Sequence, residues 1–187
     1  QLPDKLCLLP RNHDKIRVGY FSADFKIHPV SFLMVGVFEQ HDREHFECYA
    51  FSLETTKNSP MLERLKTAFD HFIDVSQYSD REIVELAKQY EIDIAVDLAG
   101  PTQNARPEIF SYRVATIQVN YLGHPGTLGA DYIDYIIADK IIIPKHYQDC
   151  YTEKVVYLPD CFQANDDKRA ISSVQTRADF NLKETDF

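Results

Sequence analysis

The stretch "IDIAVDLAG", Ile92 to Gly100, limits the fold more than any other part of the chain. It is a nearly continuous apolar run, the pattern of a strand buried on both faces, and such strands belong to parallel sheets covered by helices. Its surroundings agree, because strand and helix patterns alternate along the chain. "IRVGYFS" (Ile16 to Ser22), "FECYAFSL" (Phe46 to Leu53), "HFIDV", "ATIQVNYLG", "YIDYIIAD" and "EKVVYLP" read as strands. "HPVSFLMVGVFEQH" reads as a helix with Val30, Leu33, Met34, Val37 and Phe38 on one face. Pro29 suits its first position, which makes His28 the N-cap residue. "MLERLKTAF" and the short "ARPEIFSYR" are helical. "SDREIVELAKQYE" is the clearest helix, with Ser79 and Glu82 as a capping box and Ile83, Leu86, Ala87 and Tyr90 as its apolar face. Repeated strand–helix–strand units with right-handed crossovers give an α/β fold: a doubly wound, Rossmann-like parallel sheet with helices on both faces.

In such sheets ligands bind beyond the carboxyl ends of the strands. That rule selects three loops: "SADFKIHP", "DLAGPTQNAR" and "GHPGTLGA". The last is unusual, since three of the chain's six glycines fall in "GHPGTLG", residues 123 to 129. It is not the dinucleotide fingerprint, which needs glycines directly after the first strand, where this chain has "SADF". The Walker pattern is absent too. The glycines serve either turns needing positive φ or close approach of the backbone to a ligand. Spacing leaves both open.

Single residues carry similar pairs of readings. A helix N-terminus disfavours an imidazolium, so a neutral His28 can act as a general base, or it can be an ordinary N-cap. Asp97 ends a buried strand, where a carboxylate most simply accepts loop amides. His124 is a polar loop residue or a ligand contact. His13, His41, His45, His71 and His146 sit among charged residues and read as surface, and Asp166 and Asp167 read as a solvated turn.

Composition removes several classes of function. The chain has 187 residues, 44% of them hydrophobic and 26% charged, as expected of one soluble globular domain. A net charge of −9 with scattered Lys and Arg argues against nucleic acid as a partner. No signal peptide or membrane-length apolar stretch is evident. Cys7, Cys48, Cys150 and Cys161 lack the close pairing of a zinc site and read as reduced thiols of a cytoplasmic protein. The 11 tyrosines and 12 phenylalanines are spread through the strands, which fits a core better than a sugar platform. The tail from "DCFQAN" onward is polar, with Thr176 able to cap a helix at "TRADFNL"; the end at Phe187 looks like a cut inside a larger protein.

The order of motifs resembles a known family. "RVGYFSADFKIHPVSFLM", then "DIAVDLAGPTQNARPEIFSYRVATIQVNYLGHPGTLGADYIDYIIAD", then "YLPDCFQANDDKRA" resembles the amino-terminal catalytic lobe of O-GlcNAc transferases, in the style of the bacterial, tetratricopeptide-linked branch. The resemblance runs from about Lys15 onward, and the "DF-x-x-HP" and "LG-x-PGT-x-GA-x-x-x-DY" elements in this order are specific. It implies one lobe of a GT-B fold: residues 1–14 a linker remnant, 15–160 the lobe, and 161–187 a connection toward a second lobe. It implies an inverting transfer of N-acetylglucosamine from UDP-GlcNAc to Ser or Thr of a protein acceptor, with no metal or other cofactor. Helical repeats precede the catalytic region in the family. By resemblance, His28 matches a proposed base or acceptor organiser and Asp97 an acidic position at the equivalent strand end. Leu122, Gly123, His124, Pro125, Gly126 and Thr127 match the sugar-lining loop, and Thr102 a position near the same pocket. There are departures: many relatives carry His at Pro101, Trp at Tyr121 and Tyr at His124. They leave room for hexose transfer to Asn, for a small-molecule acceptor, or for a non-catalytic assembly module. Taken alone, the lobe is expected to be inactive or nearly so, because catalysis needs donor and acceptor held together.

Overall fold

The computed structural model describes residues 13–55, 57–171, 173, 175–183 and 185. The expectations for most of the linker remnant and for Cys7 lie outside these residues. The elements run β1 (Ile16–Ser22), α1 (Pro29–Glu39), β2 (Phe46–Ser52), α2 (Pro60–Ala68), β3 (His71–Asp74), α3 (Asp80–Gln89) and β4 (Ile94–Asp97). They continue with α4 (Glu108–Ser111), β5 (Ile117–Tyr121), β6 (Tyr135–Ala138) and β7 (Lys154–Tyr157). A 3-10 turn at Lys145–Cys150 links β6 to β7, and another, Arg177–Phe180, carries the Thr176 cap. Every pairing is parallel, in the order β3-β2-β1-β4-β5-β6-β7. The chain therefore winds outward from β1 in one direction and from β4 in the other. The β1/β4 junction is the switch point at which such sheets open a crevice at their carboxyl edge.

Local chemistry explains the boundaries. His28 Nδ1 accepts the Val30 N–H with Pro29 at the first helical position, so α1 starts where its sequence says. In α2 the same logic adds a residue to the sequence expectation, because Ser59 caps and Pro60 opens the helix. The Ser79–Glu82 capping box is formed in α3. The buried side chain of Gln118 ties α4 to β5: its Oε1 accepts the Val114 N–H at 2.8 Å and its Nε2 donates to the Phe110 carbonyl at 2.9 Å.

Alternation along β1 supplies both faces of the sheet. Val18 and Tyr20 face α1 and α2, packing with Met34, Phe38 and Leu65. Phe21 faces α3 and α4, packing with Phe51, Ile83 and Phe110, and its ring stacks on Phe51 at 4.5 Å. The buried side of α1 is broader than the expected stripe and includes Ser31, Val35 and Gly36.

Gly36 is covered by a residue whose sequence reading was wrong. Asp166 is not solvated: it is 7% exposed, and a Cβ on Gly36 would lie 3.2 Å from its carboxylate. Arg64 clamps that carboxylate at 2.7 and 2.9 Å and clamps Glu39 at 2.7 and 3.0 Å. The guanidinium holds both acids below the usual carboxylate range, Glu39 at about 2. Residues 162–168 thus dock on the lobe, helped by Phe162, whose carbonyl accepts the Tyr121 hydroxyl at 2.7 Å. Asp167 is exposed, as expected. Two histidines read as surface are not: the His13 side chain is 7% exposed, and His41 meets the buried Tyr20 hydroxyl at 2.7 Å. Burial lowers the His41 pKa.

Candidate active site

Three loops leave the carboxyl edge at β1, β4 and β5, and each is held by its own hydrogen bonds. After β1, the Asp24 N–H donates to Ser22 Oγ at 3.0 Å, and Ser31 Oγ donates back to the Asp24 carbonyl at 2.5 Å. Phe25 is fully buried beneath. Lys26 pairs with Glu54 and stands 3.9 Å from the Asp24 carboxylate. His28 closes the loop, with Nδ1 3.3 Å from the Val30 nitrogen and 3.5 Å from Asp24 Oδ2.

After β4, Asp97 turns its side chain onto its own loop. Oδ1 accepts the Ala99 N–H at 2.9 Å and Oδ2 the Gly100 N–H at 3.1 Å. The residue is 4% exposed, and desolvation pushes its pKa up to about 6 against the pull of those two amides. Gly100 adopts φ +62°, and Thr102 Oγ1 donates to the Ala99 carbonyl at 3.2 Å.

After β5, Leu122 takes φ +71°, which is unusual for a branched residue. Gly123 then passes so near β4's loop that a Cβ would lie 2.3 Å from the Leu98 oxygen and 2.5 Å from that of Ala99. Asn120, paired with Asp97 in the β4–β5 register, donates through Nδ2 to the His124 and Gly126 carbonyls, each at 3.4 Å. A Cβ on Gly126 would lie 2.5 Å from His124 Nε2, and Gly129 has φ +63°. The glycines of this loop therefore answer to the protein's own backbone and to the His124 ring.

The first two loops and Gly123 enclose a cavity of about 330 Å³ at the switch point. Asp24, Lys26, His28 and Val30 line it from one side, Leu98, Thr102, Gln103 and Asn104 from another. Of the residues singled out in the sequence, His28, Thr102 and Gly123 meet here. Asp97 lies below, buried in its loop. Leu122 is buried, and His124, Pro125, Gly126 and Thr127 are outside the lining. Pro125 is held through its carbonyl by the Tyr151 hydroxyl at 3.0 Å. Thr127 is drawn away: its hydroxyl donates to the buried Glu153 carboxylate at 2.6 Å, ahead of β7. Sequence reasoning passed over Asp24, Lys26, Gln103 and Asn104. Their signal was position, since two fall in "SADFKIHP" and two in "DLAGPTQNAR", the loops that the switch-point rule selects.

Chemically, the cavity offers one imidazole beside a carboxylate, one ammonium already paired, and hydroxyl and amide groups able to bind a polar ligand. Among the described residues, no group of three or more His, Cys, Asp or Glu side chains is arranged to hold a metal ion, and no helix is long and apolar enough to cross a membrane.

Comparison with known proteins places this lobe. The family model described as glycosyl transferase family 41 matches residues 5–186. The chain is 40% identical over 179 residues to the probable UDP-N-acetylglucosamine–peptide N-acetylglucosaminyltransferase SEC of Arabidopsis thaliana, covering 92% of this chain and 18% of that protein. It is 35% identical over 176 residues to the UDP-N-acetylglucosamine–peptide N-acetylglucosaminyltransferase of Caenorhabditis elegans, covering 94% of this chain and 15% of that one. A solved O-GlcNAc transferase variant from Thermobaculum terrenum superposes with a TM-score of 0.77 at 32% identity, over 81% of this chain and 29% of that chain. The chain belongs to glycosyl transferase family 41. It spans less than a third of the length of each of these relatives.

Proposed function

We propose that this chain is the amino-terminal catalytic lobe of a protein O-GlcNAc transferase. In the full-length parent it serves the transfer of N-acetylglucosamine from UDP-GlcNAc to Ser or Thr hydroxyls, with inversion and without a metal ion. The acceptor oxygen attacks the anomeric carbon as the bond to the UDP oxygen breaks, and the hydroxyl proton leaves to a base. His28 is that base. The observation that carries this assignment is its place: a histidine at a helix start, lining the cavity at the switch point, with Nε2 making no hydrogen bond among the described residues. The relatives' names support the donor and the peptide acceptor.

Thr102 and Gly123 shape the cavity wall. Asp97 acts through the loop whose amides it holds. Leu122 and the stretch from His124 to Thr127 position Gly123 and border the donor sugar. A second lobe after residues 161–187 carries the nucleotide, helical repeats stand before residues 1–14, and the protein works in the cytoplasm. Free thiols at Cys48, Cys150 and Cys161 suit that compartment. The lobe alone is inactive, because donor and acceptor are not held together without its partner lobe.

The test is mass spectrometry of reactions between the full-length parent, UDP-GlcNAc or UDP-glucose, and peptides carrying Ser, Thr or Asn. HexNAc on Ser or Thr is the expected product. Hexose on Asn, or no transfer by a folded protein, would overturn the assignment.

A further inference from the structure

His28 Nδ1 faces two partners that it cannot satisfy together. The Val30 N–H, 3.3 Å away, needs a lone pair on Nδ1; the Asp24 carboxylate, 3.5 Å away, needs a proton there. The choice fixes the other nitrogen of a neutral ring. As an N-cap, His28 carries its proton on Nε2 and has no lone pair to offer at that nitrogen. Turned to Asp24, it carries its proton on Nδ1 and leaves Nε2 free to accept one.

We infer that Asp24 is a positioning residue that selects the Nδ1-protonated form of His28, so that Nε2 is the basic nitrogen. This rests on the reading of His28 as the base. Asp24 is built for the task. Its N–H is fixed by Ser22 and its carbonyl by Ser31, so the backbone that carries the carboxylate is held beside His28. Its side chain is 15% exposed, and the Lys26 ammonium stands 3.9 Å from it. The cap bond at 3.3 Å is the one formed in this structure, and the Asp24 oxygen stands 3.5 Å from the same nitrogen; a small turn of the ring would exchange a long neutral bond for a charge-assisted one, roughly twice as strong. Releasing the cap leaves only the Val30 N–H in need of a partner, at the open end of the helix.

The experiment compares the full-length protein with its Asp24→Asn and Asp24→Glu variants, using diethyl pyrocarbonate, which acylates the unprotonated nitrogen of histidine. Modification is read residue by residue by mass spectrometry, with exposed His146 as the internal control. With Asn, modification of His28 is expected to slow roughly 5-fold, with His146 unchanged. Glu restores most of the rate. In transfer assays Asn lowers kcat on the order of 10-fold or more, with peptide KM nearly unchanged. Should Asn disturb the fold, His41, which the fold packs against Tyr20, gains reactivity as well, and Asp24→Ala replaces it in the same comparison. Unchanged His28 modification beside unchanged His146 would overturn the role of Asp24. The labelling needs no turnover, so a parent without transferase activity would defeat the functional reading while leaving this result readable.

Discussion

Gly123 sits against Leu98 so closely that a Cβ would lie 2.3 Å from the Leu98 carbonyl oxygen. The loop after β5 is thereby fitted into the loop after β4, and the cavity wall that both form is a packed contact. Gly123→Ala must push backbone against backbone, and a loss of about 3 kcal/mol is expected. Gly129→Ala meets nothing within 4 Å but inherits φ +63°, so it should cost about 1 kcal/mol. Urea unfolding of the two variants checks the order; equal losses would mean that the β5 loop is not wedged against Leu98.

Asp97 makes stability depend on pH in a direction opposite to most carboxylates. Its folded pKa, about 6, is above its ordinary value of 3.8, so the native state binds the extra proton. Its contribution is present below pH 3.8 and is lost as pH rises through 6. A shift of that size corresponds to about 3 kcal/mol. Glu39, held near 2, behaves the other way: its contribution is present above about 4.5 and lost as pH falls through 2. Asp97→Asn removes the first effect only. The stability of this variant relative to the parent should therefore rise between pH 4 and pH 7, as measured by chemical denaturation. Parallel curves would contradict the buried, raised carboxyl.

Arg64→Ala leaves Asp166 buried without its cation. A loss of about 2–4 kcal/mol is expected, below the largest values for fully buried pairs because Arg64 and Glu39 are partly exposed. Residues 162–168 should also loosen, and trypsin should cut faster after Lys168 and Arg169. An unchanged cleavage rate would mean that the tail is held by its apolar contacts.

Much of this fold was legible because its causes are local. β1 falls at Ile16–Ser22 as its pattern indicates, and Ser79 with Glu82 or Pro29 with His28 mark helix starts through neighbours a few residues away. A parallel sheet covered on both faces follows from alternation and crossover hand, and the carboxyl-edge rule selected the loops that line the cavity. What was not legible depends on distance along the chain. The Arg64–Asp166 pair joins residues 102 apart, and nothing near Asp166 announces it. Thr127 reads as part of a ligand loop until Glu153, 26 residues later, is seen to hold its hydroxyl. The glycines of "GHPGTLG" signal close approach or positive φ correctly, but only the folded chain shows that Gly123 approaches the Leu98 and Ala99 carbonyls.

The most direct measurement is the rate of HexNAc transfer to a Ser or Thr peptide by the full-length parent and its His28→Ala variant. Losing the N-cap should cost about 1 kcal/mol of stability, so the variant should fold. Its kcat should fall on the order of 100-fold or more. A folded variant that turns over at the parent's rate would contradict the placement of the base at His28.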